Sequence, residues 1–466
     1  MSASLANLAA WAASARPAHV PADVMALALV QHVAAAGTVR AARGTASGQA
    51  CAAAGGAQGH TAVLACTNLD DYLLAARTGL GALPAAWASP SGTLAEWLTH
   101  TVVANEVAGR VGLALSLRHR PDRADLRGPA VASAVVRARL SGAKAADMLR
   151  AIAGAVAGAD TVEVAAAAGV AGALASASAI HGSNPAAGDD LADLAGAGQV
   201  LGSALGAEGQ TWLSRTLVVK RWPSTPWGEV AIEAVNVILA RHMKAAEKRL
   251  RTDQVDRIEI RTAFAPPATE AAASGLELPA AAAWSVVTAV GLLVAHHELH
   301  PGLMEPGAAG DKEADMVAML TRVSVLHDWR LSVREARATA TGLGPVLGEA
   351  GVRAVLGAAQ KLVIGRPAAA EVLPILRERP WEVPAALRRN GGLASVDVDA
   401  YAHHFPVEAK LYTTRGGWWP ERRAKPVGQG AGARVVAEAR YGSGAEGLLA
   451  ADLSAPAAGF VQALLA

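Results

Sequence analysis

Up to about residue 216 the apolar residues of this chain fall at a helical spacing, and after Lys220 some of them begin to alternate. No other feature limits the possible folds as much, because a 3.6-residue period buries one stripe of a helix while a period of two buries one face of a sheet. In PADVMALALVQHVAAAG the residues Val24, Leu27, Val30 and Val33 keep the helical period. Thr93-Leu-Ala-Glu96 has the form of a capping box opening a helix through Trp97 and Leu98. Further helices are expected through HTVVANEVAGRVGLALSL and GPAVASAVVRARLSG, punctuated by Gly and Pro as in a globular multi-helix core. The helix GEVAIEAVNVILARHMKAAEKRL ends in a cationic turn, which suits the negative end of its dipole. Alternation follows. VDRIEIRTAF sets Ile258, Ile260 and Phe264 on one face and Glu259 and Arg261 on the other, and FPVEAKLYT sets Phe405, Val407, Ala409 and Leu411 together. Shorter alternating runs are TRVSVL and ASVDVDA. Residues 331 to 392 are expected to be helical again, opening at Ser332-Val-Arg-Glu335 with a second capping box, and AAGFVQALLA closes the chain as a helix. The fold class expected is mainly α, with a large helical domain over 1–216 and a mixed α/β domain over 217–441; 466 residues suit two domains.

Mean hydropathy is +0.27, yet it comes largely from alanine, a strong helix former and a weak membrane anchor. The segment AIAGAVAGADTVEVAAAAGVAGALASASAI, residues 151 to 180, carries Asp160 and Glu163 inside it, so it reads as a pair of buried helices broken near Gly158. The N-terminus has no basic region ahead of its apolar part, and the protein is expected in the cytoplasm. A net charge of +2 without a basic stripe argues against nucleic-acid and acidic-membrane partners, since both are held by clustered cations. Cys51 and Cys66, fifteen apart among alanines, suit neither a C-x-x-C site nor a disulfide framework and are expected as buried thiols.

The site-forming patterns are few. In TLVVKRWPSTPWGEVAIEAV an apolar run ends in two adjacent cations, Lys220 and Arg221, before an aromatic, proline-bearing turn, and such cations need an anionic partner or water. HHELHP puts His296 and His300 four apart, as zinc ligands on a helix are, but it is not H-E-x-x-H and no third ligand is identifiable. GLGPVLG, residues 342 to 348, follows a helical stretch instead of a strand, so it makes no dinucleotide fingerprint. Trp418-Trp419 beside Arg415 and Arg422 reads as an aromatic strand end.

Taken in order, PADVMALALV, LDDYLLAARTGLGALPAAWA, ANEVAGRVGLAL, RGPAVASAVVRARLSG, VVKRWPSTPWGEVAIEAV, VDRIEIRT and AAAWSVVTAVGLLVAHHE resemble the MmgE/PrpD superfamily of 2-methylcitrate dehydratases, cis-aconitate decarboxylases and dicarboxylate epimerases. The resemblance implies an all-helical domain completed by about 442–466, a smaller α/β lid with a helical insertion at about 331–392, a cleft between them and a homodimer. It implies a small organic acid as substrate, and proton transfer beside a carboxylate with no metal or organic cofactor. Cations would hold the acid and stabilise an enolate-like state, beside a base of matched pKa.

By the same resemblance Lys220 matches the lysine of the family's K-x-x-P segment. Elsewhere the chain departs from the pattern. The family's D-F-D-D-T appears as Asn68-Leu69-Asp70-Asp71-Tyr72, and its H-P-G as Arg77-Thr78-Gly79. Near its H-P-T segment stands RHRPDRADLRG, with His119 or Asp122 as stand-ins. The histidine five after the lysine is Thr225, and the tyrosine of the lid helix falls near Thr288. Two readings follow. In one, Lys220, Tyr72, His119 and Asp122 form the catalytic set, and Arg77, Asn68, Arg221, Thr225 and Thr288 bind a substrate bulkier than the family's. In the other, catalysis is lost and the chain is a dimeric binding or scaffold homologue. Arg77 is open between gripping a substrate carboxylate and a salt bridge to Asp70 or Asp71.

Overall fold

A computed structural model describes residues 4–74, 76–118, 123–182, 184–188, 190–196, 200–263, 283–305, 307–308, 310–351, 354–355, 382–388 and 391–466. The chain is mainly α-helical. Its long helices lie where the apolar period places them: Ala22–Ala42, Leu94–Ala114, Arg127–Leu140 and Pro226–Ala246. Thr93 and Glu96 form the capping box reciprocally, and the 151–180 segment does break after Gly158, into the short strand Thr161–Glu163 and the helix Gly169–His181.

Eight strands form three sheets among the described residues. Strand β1 (Asp71–Tyr72) pairs antiparallel with β4 (Val218–Val219), and β2 (Arg123–Asp125) with β3 (Thr161–Glu163). The larger sheet has the order β6-β5-β7-β8, from β5 (Val255–Thr262), β6 (Val323–His327), β7 (Val407–Thr413) and β8 (Trp418–Arg423). The expected alternation holds in β5 and β7: Ile258, Ile260, Val407, Ala409 and Leu411 are buried. The helices Pro226–Ala246 and Val286–His296 pack on that sheet.

Burial divides into two apolar clusters. One gathers residues from Leu5 to Val219, from Ala340 to Val398 and from Ala433 to Leu464; the other gathers Trp222 to Val323 and Val407 to Leu411, with Ala124 and Ala167. The stretch expected as an insertion in the sheet-bearing part therefore packs, where described, on the helical core. The closing helices return early: Ala431–Tyr441 lies against Ala22–Ala42, with Arg440 backbone atoms 2.9 Å from where a Cβ on Gly37 would stand.

Several local expectations are corrected. The helix expected to open at Ser332 opens at Trp329, because Asp328 caps it by accepting from the Arg330 N–H at 2.9 Å. Ser332 instead donates to the Ala263 carbonyl at 2.6 Å. ASVDVDA forms no strand: Ala394 and Ser395 end the 3-10 turn Gly392–Ser395 and the rest is irregular, with Leu393, Val396 and Val398 docked on the helical core. His296 ends its helix and His297 is left-handed (φ 61°), so His296 and His300 do not share a helix face. Among the described residues no group of three or more His, Cys, Asp and Glu is placed to hold a metal ion. Phe264 lies outside the described residues. Cys51 and Cys66 are free and buried. One helix, Ala22–Ala42, is long and apolar enough to cross a membrane, but 78% of its apolar window is buried inside the fold.

Candidate functional site

The helix Gly56–Thr67 ends on Asn68, which takes the left-handed conformation (φ 48°) that asparagine tolerates better than most residues. The chain turns there into β1, where Asp71 pairs with Val219 and Tyr72 with Val218. That register sets Lys220 against Asp70, whose carbonyl accepts from the Lys220 N–H at 3.4 Å. Two short strands thus carry a cation and a carboxylate from distant parts of the sequence to the junction of the two apolar clusters.

Lys220, 1% exposed, satisfies all three ammonium donors. Its Nζ lies 2.5 Å from Asp70 Oδ1, 2.8 Å from Asn68 Oδ1 and 3.1 Å from the Ser224 carbonyl. Arg77 reaches the same groups from the other side: Nε donates to Asp70 Oδ2 at 2.6 Å, and Nη2 to Asp70 Oδ1 at 2.9 Å and to Asn68 Oδ1 at 2.7 Å. The Asn68 amide donates to the Ala283 carbonyl at 2.6 Å, and Trp284 stacks on the Arg77 guanidinium at 5.6 Å. Burial alone would raise Asp70, but the charges and hydrogen bonds of Arg77 and Lys220 outweigh it and hold the carboxyl at about 2. Burial lowers Lys220 to about 8 against the upward pull of Asp70.

Two more buried carboxyls stand close. Asp71 accepts from Gln31 Nε2 at 2.8 Å and from the Gly79 N–H at 3.0 Å, and Gln31 is in turn held by Asn105 at 2.8 Å. Burial and then the Asp70 charge raise Asp71 to about 6. Glu229, 1% exposed in the first turn of Pro226–Ala246, accepts the Arg221 N–H at 2.7 Å through Oε1; burial raises it to about 7 against that bond and the charges of Lys220 and Arg440. Arg440 donates to Thr38 Oγ1 at 3.2 Å and to the Leu69 carbonyl at 3.0 Å, and burial lowers it to about 10. Three carboxyls therefore face three cations, which keeps a nearly dry cluster close to neutral.

Of the residues expected to form the site, Asn68, Tyr72, Arg77 and Lys220 come together. Tyr72 is 2% exposed with its ring edge-on to His403 at 5.0 Å; burial, then the Glu229 charge, push its hydroxyl well above the usual range. Arg77 bridges to Asp70, the alternative left open above. Arg221 is turned away: its guanidinium lies over the Trp222 ring at 5.0 Å and 3.4 Å from Glu233, and only its backbone N–H serves the cluster. The two cations diverge where the chain leaves β4 and bends at Arg221. Thr225 caps the Pro226–Ala246 helix by accepting from the Gly228 N–H at 3.3 Å, and Thr288 bonds Ser285 at the start of Val286–His296. Neither faces Lys220 through a hydrogen bond. His119 and Asp122 lie outside the described residues.

Glu229, Arg440 and Gln31 were not singled out from the sequence, and Asp71 was named only as a possible salt-bridge partner of Arg77. Glu229 and Gln31 did carry a signal, a polar residue on an otherwise apolar helical stretch, in GEVAIEAV and LALVQHVAAA. Arg440, near the end of the chain, had none. No protein-family model matches this chain, and no curated protein matches it.

Proposed function

We propose that the protein is a cofactor-independent lyase or isomerase of MmgE/PrpD type, acting in the cytoplasm as a homodimer and moving a proton next to the carboxylate or carbonyl of a small organic acid. In this reading the helical body and an α/β lid meet at the Lys220 cluster. The observation that carries it is the buried Lys220–Asp70–Arg77 array at that junction, beside carboxyls brought to about 6 and 7. Strongly shifted titratable groups gathered with named charge partners are the usual signature of proton-transfer chemistry. Asp70 holds both cations, so a substrate carboxylate binds by taking Arg77, whose side chain keeps 21% exposure, into a bidentate contact. Trp284 over that guanidinium favours a ligand with an apolar part.

A second reading, an inactive dimeric scaffold, is favoured by one specific observation: every ammonium donor of Lys220 already has a partner inside the protein. A thermal-shift screen with di- and tricarboxylates and bulkier organic acids separates the two. The enzyme reading expects at least one acid to raise Tm in the wild type and to lose that effect in Lys220→Ala, with circular dichroism confirming that the variant folds. If no acid stabilises the wild type, the scaffold reading stands.

A further inference from the structure

Three buried oxygens at this junction have no hydrogen-bond partner: Glu229 Oε2, Tyr72 Oη and Ser224 Oγ. They come from different elements. Glu229 belongs to the helix Pro226–Ala246, Tyr72 to β1, and Ser224 to the turn after Lys220, whose ammonium bonds the Ser224 carbonyl. Their exposures are 1%, 2% and 0%. An enclosed carboxyl or hydroxyl without a bond lowers stability, and three of them at one junction form the pattern expected where a ligand supplies the missing bonds. Tyr72 feels the Glu229 charge, yet its hydroxyl and Glu229 Oε2 do not bond each other.

The three carboxyls of the cluster are not equivalent. Asp70 is fixed between Lys220 and Arg77, and both oxygens of Asp71 are held, by Gln31 and by the Gly79 N–H. Only Glu229 combines an anchored oxygen with a free one. The anchor is a backbone N–H, so the carboxyl stays in place whichever protonation state it adopts.

We propose that Glu229 is the acid–base residue of this site, exchanging the reacting proton through Oε2 while Tyr72 and Ser224 hydrogen-bond the substrate atoms beside it. This rests on the proton-transfer reading given above. The ionised Oε2 removes the proton next to the substrate carboxylate, and the C–H electron pair passes into an enolate that Lys220 and Arg440 stabilise by their charge. The protonated Oε2 then returns its proton, to carbon in an isomerisation or to a departing hydroxyl, which leaves as water, in a dehydration. The groups facing Glu229 are Lys220, Arg440 and Tyr72 from other elements, Glu233 on its own helix, and the Arg221 N–H. Lys220 and Arg440 favour the ionised form, while burial and Glu233 oppose it, and the balance lies near neutrality.

The test uses the full chain as wild type, Glu229→Gln and Glu229→Asp. Infrared difference spectra over about pH 5 to 9 are expected to show protonated-carboxyl absorption titrating near neutrality in the wild type, with the Glu229 component lost in Glu229→Gln and those of Asp71 and Glu335 remaining. A Glu229 that stays ionised across that range overturns the proposal, with no substrate needed. With any acid that raises the wild-type Tm, deuterium exchange from solvent into its carbon-bound protons is followed by NMR. Glu229→Gln should lose on the order of 100-fold in exchange while keeping the thermal shift, with Glu229→Asp between the two. Exchange in Glu229→Gln within about threefold of wild type overturns the assignment and leaves the functional reading intact. Binding and exchange absent from the wild type itself overturn the functional reading, and this assignment with it.

Discussion

Lys220 and Arg77 converge on one carboxylate, so Asp70 is the residue whose loss the cluster tolerates least. Asp70→Asn keeps the shape but leaves an ammonium, 1% exposed, with no counter-charge in contact, and the expected loss is about 3–5 kcal/mol in urea denaturation. Lys220→Met should cost less, since Asp70 keeps Arg77. The double variant should be more stable than the sum of the two single losses, because it removes both buried charges together. A loss below about 1 kcal/mol for Asp70→Asn would show that water or another group screens Lys220. At this scale the sequence revealed half of the pair: two cations at the end of an apolar run must be satisfied somewhere, so Lys220 stood out. Asn68 was named as a binding residue and Asp70 as a partner for Arg77, but neither as the partner of Lys220, because they lie some 150 residues earlier and only the β1–β4 register brings them opposite. Arg221, expected as a binding residue beside Lys220, is set apart by the direction of its side chain.

Elements that follow from periodicity were legible, and those set by a contact were not. The long helices and β5 to β7 have their apolar residues at fixed spacing, so their existence follows from local sequence. Strands β1 and β4 are two residues each and carry no period, yet they position the site. Helix starts show the same limit, since Ser332 and Glu335 match a capping box but Asp328 caps four residues earlier. Close helix approach is likewise visible only in three dimensions. Gly81, in the helix Gly79–Trp87, stands so near the helix Arg127–Leu140 that an added Cβ would lie 1.8 Å from the Pro129 carbonyl oxygen. Alanine is the better helix former by about 1 kcal/mol, so an isolated helix would gain from Gly81→Ala. Here the backbone cannot yield without separating two helices, and the variant is expected to lose about 2–3 kcal/mol, read as a lower denaturation midpoint. An unchanged or raised midpoint would mean that the two helices slide apart freely. Because Gly79 also donates to Asp71, the same displacement should weaken any ligand-induced thermal shift.

Across the whole molecule, buried titratable groups pull stability in opposite directions as pH changes. His32 and His403, both buried, are lowered by burial to about 3 and about 4. His32 is held neutral between the Trp87 indole N–H at 2.8 Å and Thr101 at 3.0 Å, and stacks on Trp97. Their unfolded counterparts take up protons below about pH 6.5, so each removes stability as pH falls, by about 1.4 kcal/mol per pH unit at most. Asp71 and Glu229 act the other way. Their folded values, about 6 and about 7, exceed the ordinary carboxyl range, so the fold holds protons that the unfolded chain has released. Stability from them grows as pH falls through the folded value and levels off near the unfolded one, about pH 4 to 4.5. The wild type should therefore respond to pH less steeply between about 7 and 5 than either set alone would make it. Glu229→Gln removes one opposing carboxyl. Compared with the wild type, it should be relatively more stable at about pH 8, where the wild type buries a charge, and relatively less stable at about pH 5, where the wild type gains by holding a proton. The raised value, from 4.5 to about 7, sets the limit of that swing at about 3 kcal/mol. Guanidinium denaturation of both proteins across this range measures it. A stability difference that stays flat with pH would mean that Glu229 titrates alike folded and unfolded, and that the junction between the two apolar clusters is open to water.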